Sequence, residues 1–200
     1  MENLLPNQYI IKQLAKCQFN AKYYDYESKA EVDYNCDSKD EDILASGLCI
    51  FHDENYLQDK DNPKEHKQKV SKTLMDKVND SIANNKALFC IGYYLLADVK
   101  IQGIFNKPVY FSRSKFQRVD FSSTKFSEAD FGSAKFSGKA DFSSVFIKDK
   151  VYFNYVLFED GKIILFGIED LSNFSFMNTD ITRVRFSDRQ GGEMRRTNLR

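Results

Sequence analysis

The chain has 200 residues, enough for one or two domains with a sizeable core, and its 29 Lys/Arg balance its 29 Asp/Glu. Residues 1–100 carry 13 basic against 17 acidic side chains, residues 101–190 carry 13 against 11, and the last ten carry 3 against 1. Neither half is basic enough to select nucleic acid by charge nor acidic enough to imitate it, and with 18 Phe concentrated after residue 100 and no Trp the chain reads as two-part.

The opening MENLLPNQYIIKQLAKC lacks the basic start and apolar core of a signal peptide. The longest apolar run, ALFCIGYYLLADV, falls short of the roughly 18 residues of a membrane span. Four cysteines without a secretory signal read as reduced thiols or metal ligands, so a soluble, cytoplasmic protein is expected.

Residues 17–36, CQFNAKYYDYESKAEVDYNC, alternate with period two and read as a hairpin centred on Tyr26-Glu27, partners summing to 53. One face then carries Cys17, Phe19, Ala21 and Tyr23 opposite Cys36, Tyr34, Val32 and Ala30, with Cys17 and Cys36 side by side. A disulfide there is geometrically allowed but disfavoured in a reducing compartment. Downstream, SGLCIFHDENYL spaces Cys49 and His52 as C-x2-H. Thiolates and a neutral imidazole suit Zn²⁺, and Cys17, Cys36, Cys49 and His52 complete a four-ligand structural set with no open position for catalysis. The competing reading is three buried cysteines with His52 capping a turn. The acidic run Asp37–Asp42 lacks the ligand order and glycine of an EF-hand and reads as a solvated loop.

A helix comes next, in NPKEHKQKVSKTLMDKVNDSIANN: Asn62 is placed to cap it, Pro63 fits the first position, and Val70, Leu74, Val78 and Ile82 form one apolar stripe with Met75 beside it. His66 falls on the polar side, where solvation is the ordinary state. KALFCIGYYLLADVKI reads as β structure entering a first coil, with Cys90 a small core residue. Residues 1–100 are thus expected to form a small α+β cap docked on that first coil, 101–190 a repeat domain, and 191–200 a basic polar tail.

In FSRSKFQRVDFSSTKFSEADFGSAKF, residues 111–136, Phe recurs every fifth position: Phe111, Phe116, Phe121, Phe126, Phe131 and Phe136. A helix repeats its buried face every 3.6 residues and a strand every two, so neither explains five. With single-residue slips the register continues through Phe142 and Ile147, then Phe153 and Phe158, then Phe166, Leu171, Phe176, Ile181 and Phe186. Two residues before each centre the side chain is usually small or β-branched, as at Val109, Ser114, Val119, Thr124, Ala129 and Ala134. Two inward positions in five require a corner in every unit. Four corners close a square coil, so a centre at i stacks on i+20: Phe111 on Phe131, Phe116 on Phe136, Phe166 on Phe186. The slips near Gly138, Lys148–Lys150 and Glu159–Lys162 predict bulged corners.

With Ala129-Asp130-Phe131 and Ala140-Asp141-Phe142 as its best units, the run VDFSSTKFSEADFGSAKF resembles the pentapeptide-repeat proteins. The resemblance covers residues 111–186 and implies a mainly β fold, a right-handed quadrilateral β-helix. SGLCIFHDENYL is similar to a Cys-Ile-Phe-His element ahead of the repeats in prokaryotic, especially archaeal, members. Some of those continue into a membrane-attached region that cannot be carried over to this chain.

The sequence offers no P-loop, dinucleotide fingerprint or nucleophile elbow, and Ser112, Ser122, Ser127 and Ser137 sit at corners where turn chemistry explains them. The residue before each centre alternates, Lys115, Asp120, Lys125, Asp130, Lys135, Asp141, striping the faces by charge. The expected function is a non-catalytic module binding an unidentified protein partner. The alternative carried by the family resemblance is a gyrase-binding DNA mimic, which needs an acidic rod and is opposed by the +2 balance. Nucleic-acid binding through the acidic head ranks below both.

Overall fold

The computed structural model describes residues 16–58, 61, 63–168 and 170–187. The Asn62 cap and the 191–200 tail lie outside the described residues. From Leu88 onward the chain winds into stacked coils whose strands pair in parallel. Leu88–Phe89 lies on Val109–Tyr110, Tyr94–Lys100 on Lys115–Asp120, and Ile104–Phe105 on Lys125–Phe126. Two sheets of seven and six strands result, each bent over two sides of the square. One ladder runs Cys90, Phe111, Phe131, Phe153, Phe176, and its rings stack at 5.5, 5.0 and 5.3 Å between centroids. Phe116 stacks on Phe136 at 5.1 Å and Phe121 on Phe142 at 4.8 Å. The molecule is mainly β, and its core is this β-solenoid axis.

The alternating Lys and Asp have a backbone cause. After Phe111, Phe121, Phe131 and Phe142 the chain makes a tight turn closed by N–H donors of Ser114, Thr124, Ala134 and Val145 to the carbonyls of those Phe residues, at 3.0–3.4 Å. The third turn residue has positive φ: Arg113 62°, Ser123 62°, Ser133 57°, Ser144 55°. That is type II geometry, normally reserved for glycine. An Asp before the centre offsets part of the strain by accepting from the N–H two residues on: Asp120 from Ser122 at 2.8 Å, Asp130 from Gly132 at 2.7 Å, Asp141 from Ser143 at 2.9 Å. The other two corners are bends within the continuous strands Lys115–Asp120 and Lys125–Asp130, which need no such acceptor, and Lys stands there.

The expected twenty-residue repeat holds from Phe111 to Phe131 and from Phe116 to Phe136, then lengthens. The bulge between Ile147 and Lys150 and the bends at Gly138 and Glu159–Asp160 add residues where slips were expected. Gly138 is required by close approach, because a Cβ there would lie 2.0 Å from the Gln117 carbonyl oxygen. One centre is corrected. Phe166 is 43% exposed, while Leu165 is fully buried and stands in register with Phe186. Ile163 aligned with Ala140 takes the small inward position, so the strand Lys162–Phe166 presents Ile163 and Leu165 inward by period two.

In the amino-terminal half, β1 (Asn20–Asp25) and β2 (Ala30–Asn35) form the hairpin, with partners summing to 55, as in Ala21↔Tyr34. The shift of two keeps every side chain on its expected face but moves Cys17 beyond Cys36, which now stands opposite Phe19. Its cause is the loop: Asp25 accepts from the Ser28 and Glu27 N–H groups and Lys29 takes φ 55°, so four residues, not two, make the turn. Among the described residues the hairpin pairs with no other strand; it lies against a side of the solenoid. A short helix α1 (Glu54–Gln58) is capped by Asp53, which accepts from Asn55 and Tyr56 N–H. Helix α2 (Pro63–Ala83) lays buried Val70, Leu74 and Val78 over the first coil, covering its open end, with Ile82 against Gly103. His66 is half-buried, not solvated: it stacks on Tyr56 at 3.9 Å and its Nδ1 bonds the Tyr56 carbonyl at 2.7 Å, joining the two helices. The acidic loop is likewise docked, through Lys69 to buried Asp42 at 3.3 Å and Lys77 to Asp37.

Candidate metal centre

Cys17 stands just before β1 and Cys36 just after β2, so the hairpin brings its two ends together as a pair of thiols. Cys49 and His52 lie on a turn in which the His52 and Asp53 N–H groups donate to the Cys49 carbonyl at 2.9 and 3.1 Å. Ile43 bridges to Cys49 and seats that turn against the loop leaving the hairpin. The four ligand atoms of Cys17, Cys36, Cys49 and His52 lie within 4.8 Å of one another, and all four residues are buried.

The edges of this cluster can be compared with a tetrahedron. Zn–S bonds of about 2.3 Å and a Zn–N bond of about 2.05 Å imply S···S edges of about 3.8 Å and S···N edges of about 3.5 Å. Cys36 Sγ to Cys49 Sγ is 3.7 Å, Cys17 Sγ to His52 Nδ1 is 3.5 Å, and Cys49 Sγ to His52 Nδ1 is 3.2 Å. A disulfide would need about 2.05 Å, and all four cysteines are free thiols. The donor set fits one tetrahedral soft-to-borderline cation and leaves no coordination position for substrate.

The surroundings orient the ligands. His52 Nε2–H donates to the Ile91 carbonyl at 2.9 Å, which fixes Nδ1 as the free lone pair. Phe19 stacks on the imidazole at 3.7 Å and 8°, and Tyr93 meets it edge-on at 5.1 Å. Three thiolates around a divalent cation would leave one net negative charge, which the Cys49 N–H to Cys17 Sγ (3.2 Å) and Ser38 Oγ to Cys36 Sγ (3.1 Å) contacts would spread. Hydrogen bonds from Cys17 and Cys49 push the Cys36 thiol down, whereas those among the same sulfurs push Cys49 up. Burial pulls His52 down, but bonds to Cys17, Cys36 and the Ile91 carbonyl carry it up to about 9. A cation bound here would displace the protons these donors share, taking the sulfurs as thiolates and the imidazole as a neutral Nδ1 donor.

Cys90 takes no part. It occupies an axis position, and burial pushes its thiol up to about 12. Sequence reading missed that the solenoid's first coil supplies the Ile91 carbonyl, and that Gly92 (φ 71°) makes room for the Phe19 ring, whose Cζ would lie 2.4 Å from a Cβ there. The usable signal was the five-residue step from Cys90 to Leu95, obscured because the centre is Cys and the small position holds Tyr93, which is buried beneath Lys77 of α2.

Among the described residues no helix is long and apolar enough to cross a membrane. Compared with known families, residues 109–138 match the family described as Pentapeptide repeats (8 copies). The match ends at Gly138, where the first slip breaks the five-residue register. No curated protein and no solved structure matches the chain.

Proposed function

From a chain whose residues 109–138 match the pentapeptide-repeat family and continue as one solenoid, we propose a non-catalytic protein-interaction module whose head is stapled by one structural Zn²⁺ on Cys17, Cys36, Cys49 and His52. The observation that carries the reading is the surface of the coils. Lys115 and Lys135 are in register on one side and Asp120 and Asp141 on the next. Further along, the outward positions turn apolar: Phe146, Tyr155, Leu157 and Met177 are each half or more exposed. A rigid axis that presents ordered columns of charge and then bare rings is suited to reading a partner protein, and nothing in it requires substrate chemistry.

A partner cross-linked to the intact chain and lost when Phe146, Tyr155 and Leu157 are changed to Ser supports the reading. A partner retained by that variant contradicts it. The alternative, mimicry of DNA toward a topoisomerase, calls for an acidic face where Lys115 and Lys135 make a basic one; inhibition of gyrase supercoiling at modest concentration would establish it instead.

A further inference from the structure

One side of the solenoid differs from the others in what stands before each centre. Phe89, Tyr110, Asp130, Tyr152 and Ser175 are in register there, one above another. Three are aromatic and outward-pointing, and the hairpin covers them. Tyr23 meets Phe89 at 5.5 Å and Tyr110 at 4.9 Å edge-on, Tyr26 stacks on Tyr152 at 4.2 Å, and Tyr34 stacks on Phe89 at 6.2 Å. Tyr110 Oη donates to Asp25 Oδ1 at 2.8 Å, and Lys107 pairs with Glu27 at 2.8 Å. Under this cover Tyr110 is 1% exposed and Asp130 6%.

The manner of attachment is unusual. Among the described strands β1 and β2 pair only with each other, so no strand ladder ties the hairpin to the solenoid. At its base it is held by Cys17 and Cys36 meeting Cys49 and His52, and at its tip by rings and two polar contacts at the surface. The two ligands on the hairpin and the two on the next turn belong to separate pieces of chain, so a cation bonded to all four joins those pieces. The coils beneath are closed by their own parallel ladders and by α2, and no strand of the hairpin enters those ladders.

We propose that the hairpin is a metal-held cover over the Phe89–Tyr110–Asp130–Tyr152 stripe, which lifts as a unit when the metal is removed while the solenoid stays folded. The inference rests on the zinc reading of the Cys3His cluster. Loss of the cation leaves three sulfurs and an imidazole within 4.8 Å joined only by weak sulfur hydrogen bonds, and the base of the hairpin opens. The exposed surface is then Phe89 stacked on Tyr110 at 5.0 Å, with Asp130 on the next coil and Tyr152 on the one after.

The test is hydroxyl-radical footprinting of the full chain with and without a thiol-compatible chelator, metal content being read by native mass spectrometry on the same samples. Removal of one zinc is expected to raise labelling of Tyr110 at least tenfold, and that of partly exposed Tyr152 by a smaller factor, while Phe111, Phe131 and Tyr93 stay protected. Tyr26→Ala, with zinc retained, is expected to raise labelling of Tyr152 more than that of Tyr110, which Tyr23 and Asp25 still cover. Zinc loss with Tyr110 and Tyr152 still protected overturns the cover, as does zinc loss that exposes Phe111 and Phe131 equally. A chain that never holds zinc overturns the underlying metal reading instead, a result the mass measurement separates from the other two.

Discussion

Changing Leu165 to Ala and, separately, Phe166 to Ala tests the axis register where sequence and structure part company. By hydrophobicity alone the larger ring should matter more. Leu165 is fully buried and shares its level with Phe186, flanked by the Phe142 coil. Removing it deletes apolar surface and leaves a cavity between stacked coils that cannot collapse without breaking a ladder, so about 3–4 kcal/mol is expected within the usual 2–5 for buried Leu→Ala. Phe166 is 43% exposed. A full Phe burial is worth about 1.5–3 kcal/mol, so a little over half of it gives about 1–1.7, with no cavity added at the surface. Urea unfolding followed by circular dichroism reads both, provided the slopes match the parent. A Phe166→Ala cost equal to or above that of Leu165→Ala would falsify the register.

Gly138→Ala is expected to cost about 1–3 kcal/mol, at the upper end because the obstacle is the Gln117 backbone and not a rotatable side chain, again read by urea unfolding; an unchanged midpoint would contradict the close approach of these coils. Asp130, under Tyr26 and beside Tyr152, Tyr110, Glu128 and Arg113, is raised by burial to about 6, against a competing bond from the Gly132 N–H. A carboxyl raised in the folded state binds its proton more tightly than when unfolded. Its contribution is therefore present below about pH 4 and lost as pH rises through about 6, worth up to about 3 kcal/mol for two units. Asp130→Asn keeps the acceptor for Gly132 and removes the charge. It is expected to match the parent at pH 4 and exceed it in stability at pH 7.5, and equal stabilities at both pH values would remove the burial argument. Ser114→Ala removes a buried hydroxyl that bonds the Cys90 carbonyl and the Tyr93 N–H, and a loss of about 1–3 kcal/mol is expected in the same assay.

The solenoid was legible because one physical requirement, a large side chain at every corner, writes itself into the chain at fixed spacing. It failed locally at Phe166, where two apolar residues compete for one axis position and only the pairing of Ile163 with Ala140 decides between them. The coil starting at Leu88 was partly hidden because Cys90 and Tyr93 carry the wrong sizes for their positions, their fit depending on α2 and Phe51, which stacks on Tyr93 at 4.3 Å. The four members of the Cys3His cluster could be gathered from residue type and the C-x2-H spacing. The hairpin register could not, since Asp25 lengthens the turn by bonding its own backbone, and faces survive a shift of two while partners do not. Least visible was the hairpin's seat. Tyr23, Tyr26 and Tyr34 look like ordinary strand aromatics until Tyr110 and Tyr152 are seen to line up beneath them through coils of unequal length. The same slips that lengthen the coils set which outward residues fall into one column, and a period alone does not carry that information.

Native mass spectrometry of the full chain, purified without added metal or chelator, bears most directly on the stapled head. One zinc per folded chain, lost from Cys49→Ser, is expected. A folded chain that carries no metal, with Cys49→Ser as stable as the parent, would contradict it and leave Cys17, Cys36, Cys49 and His52 as a hydrogen-bonded piece of core.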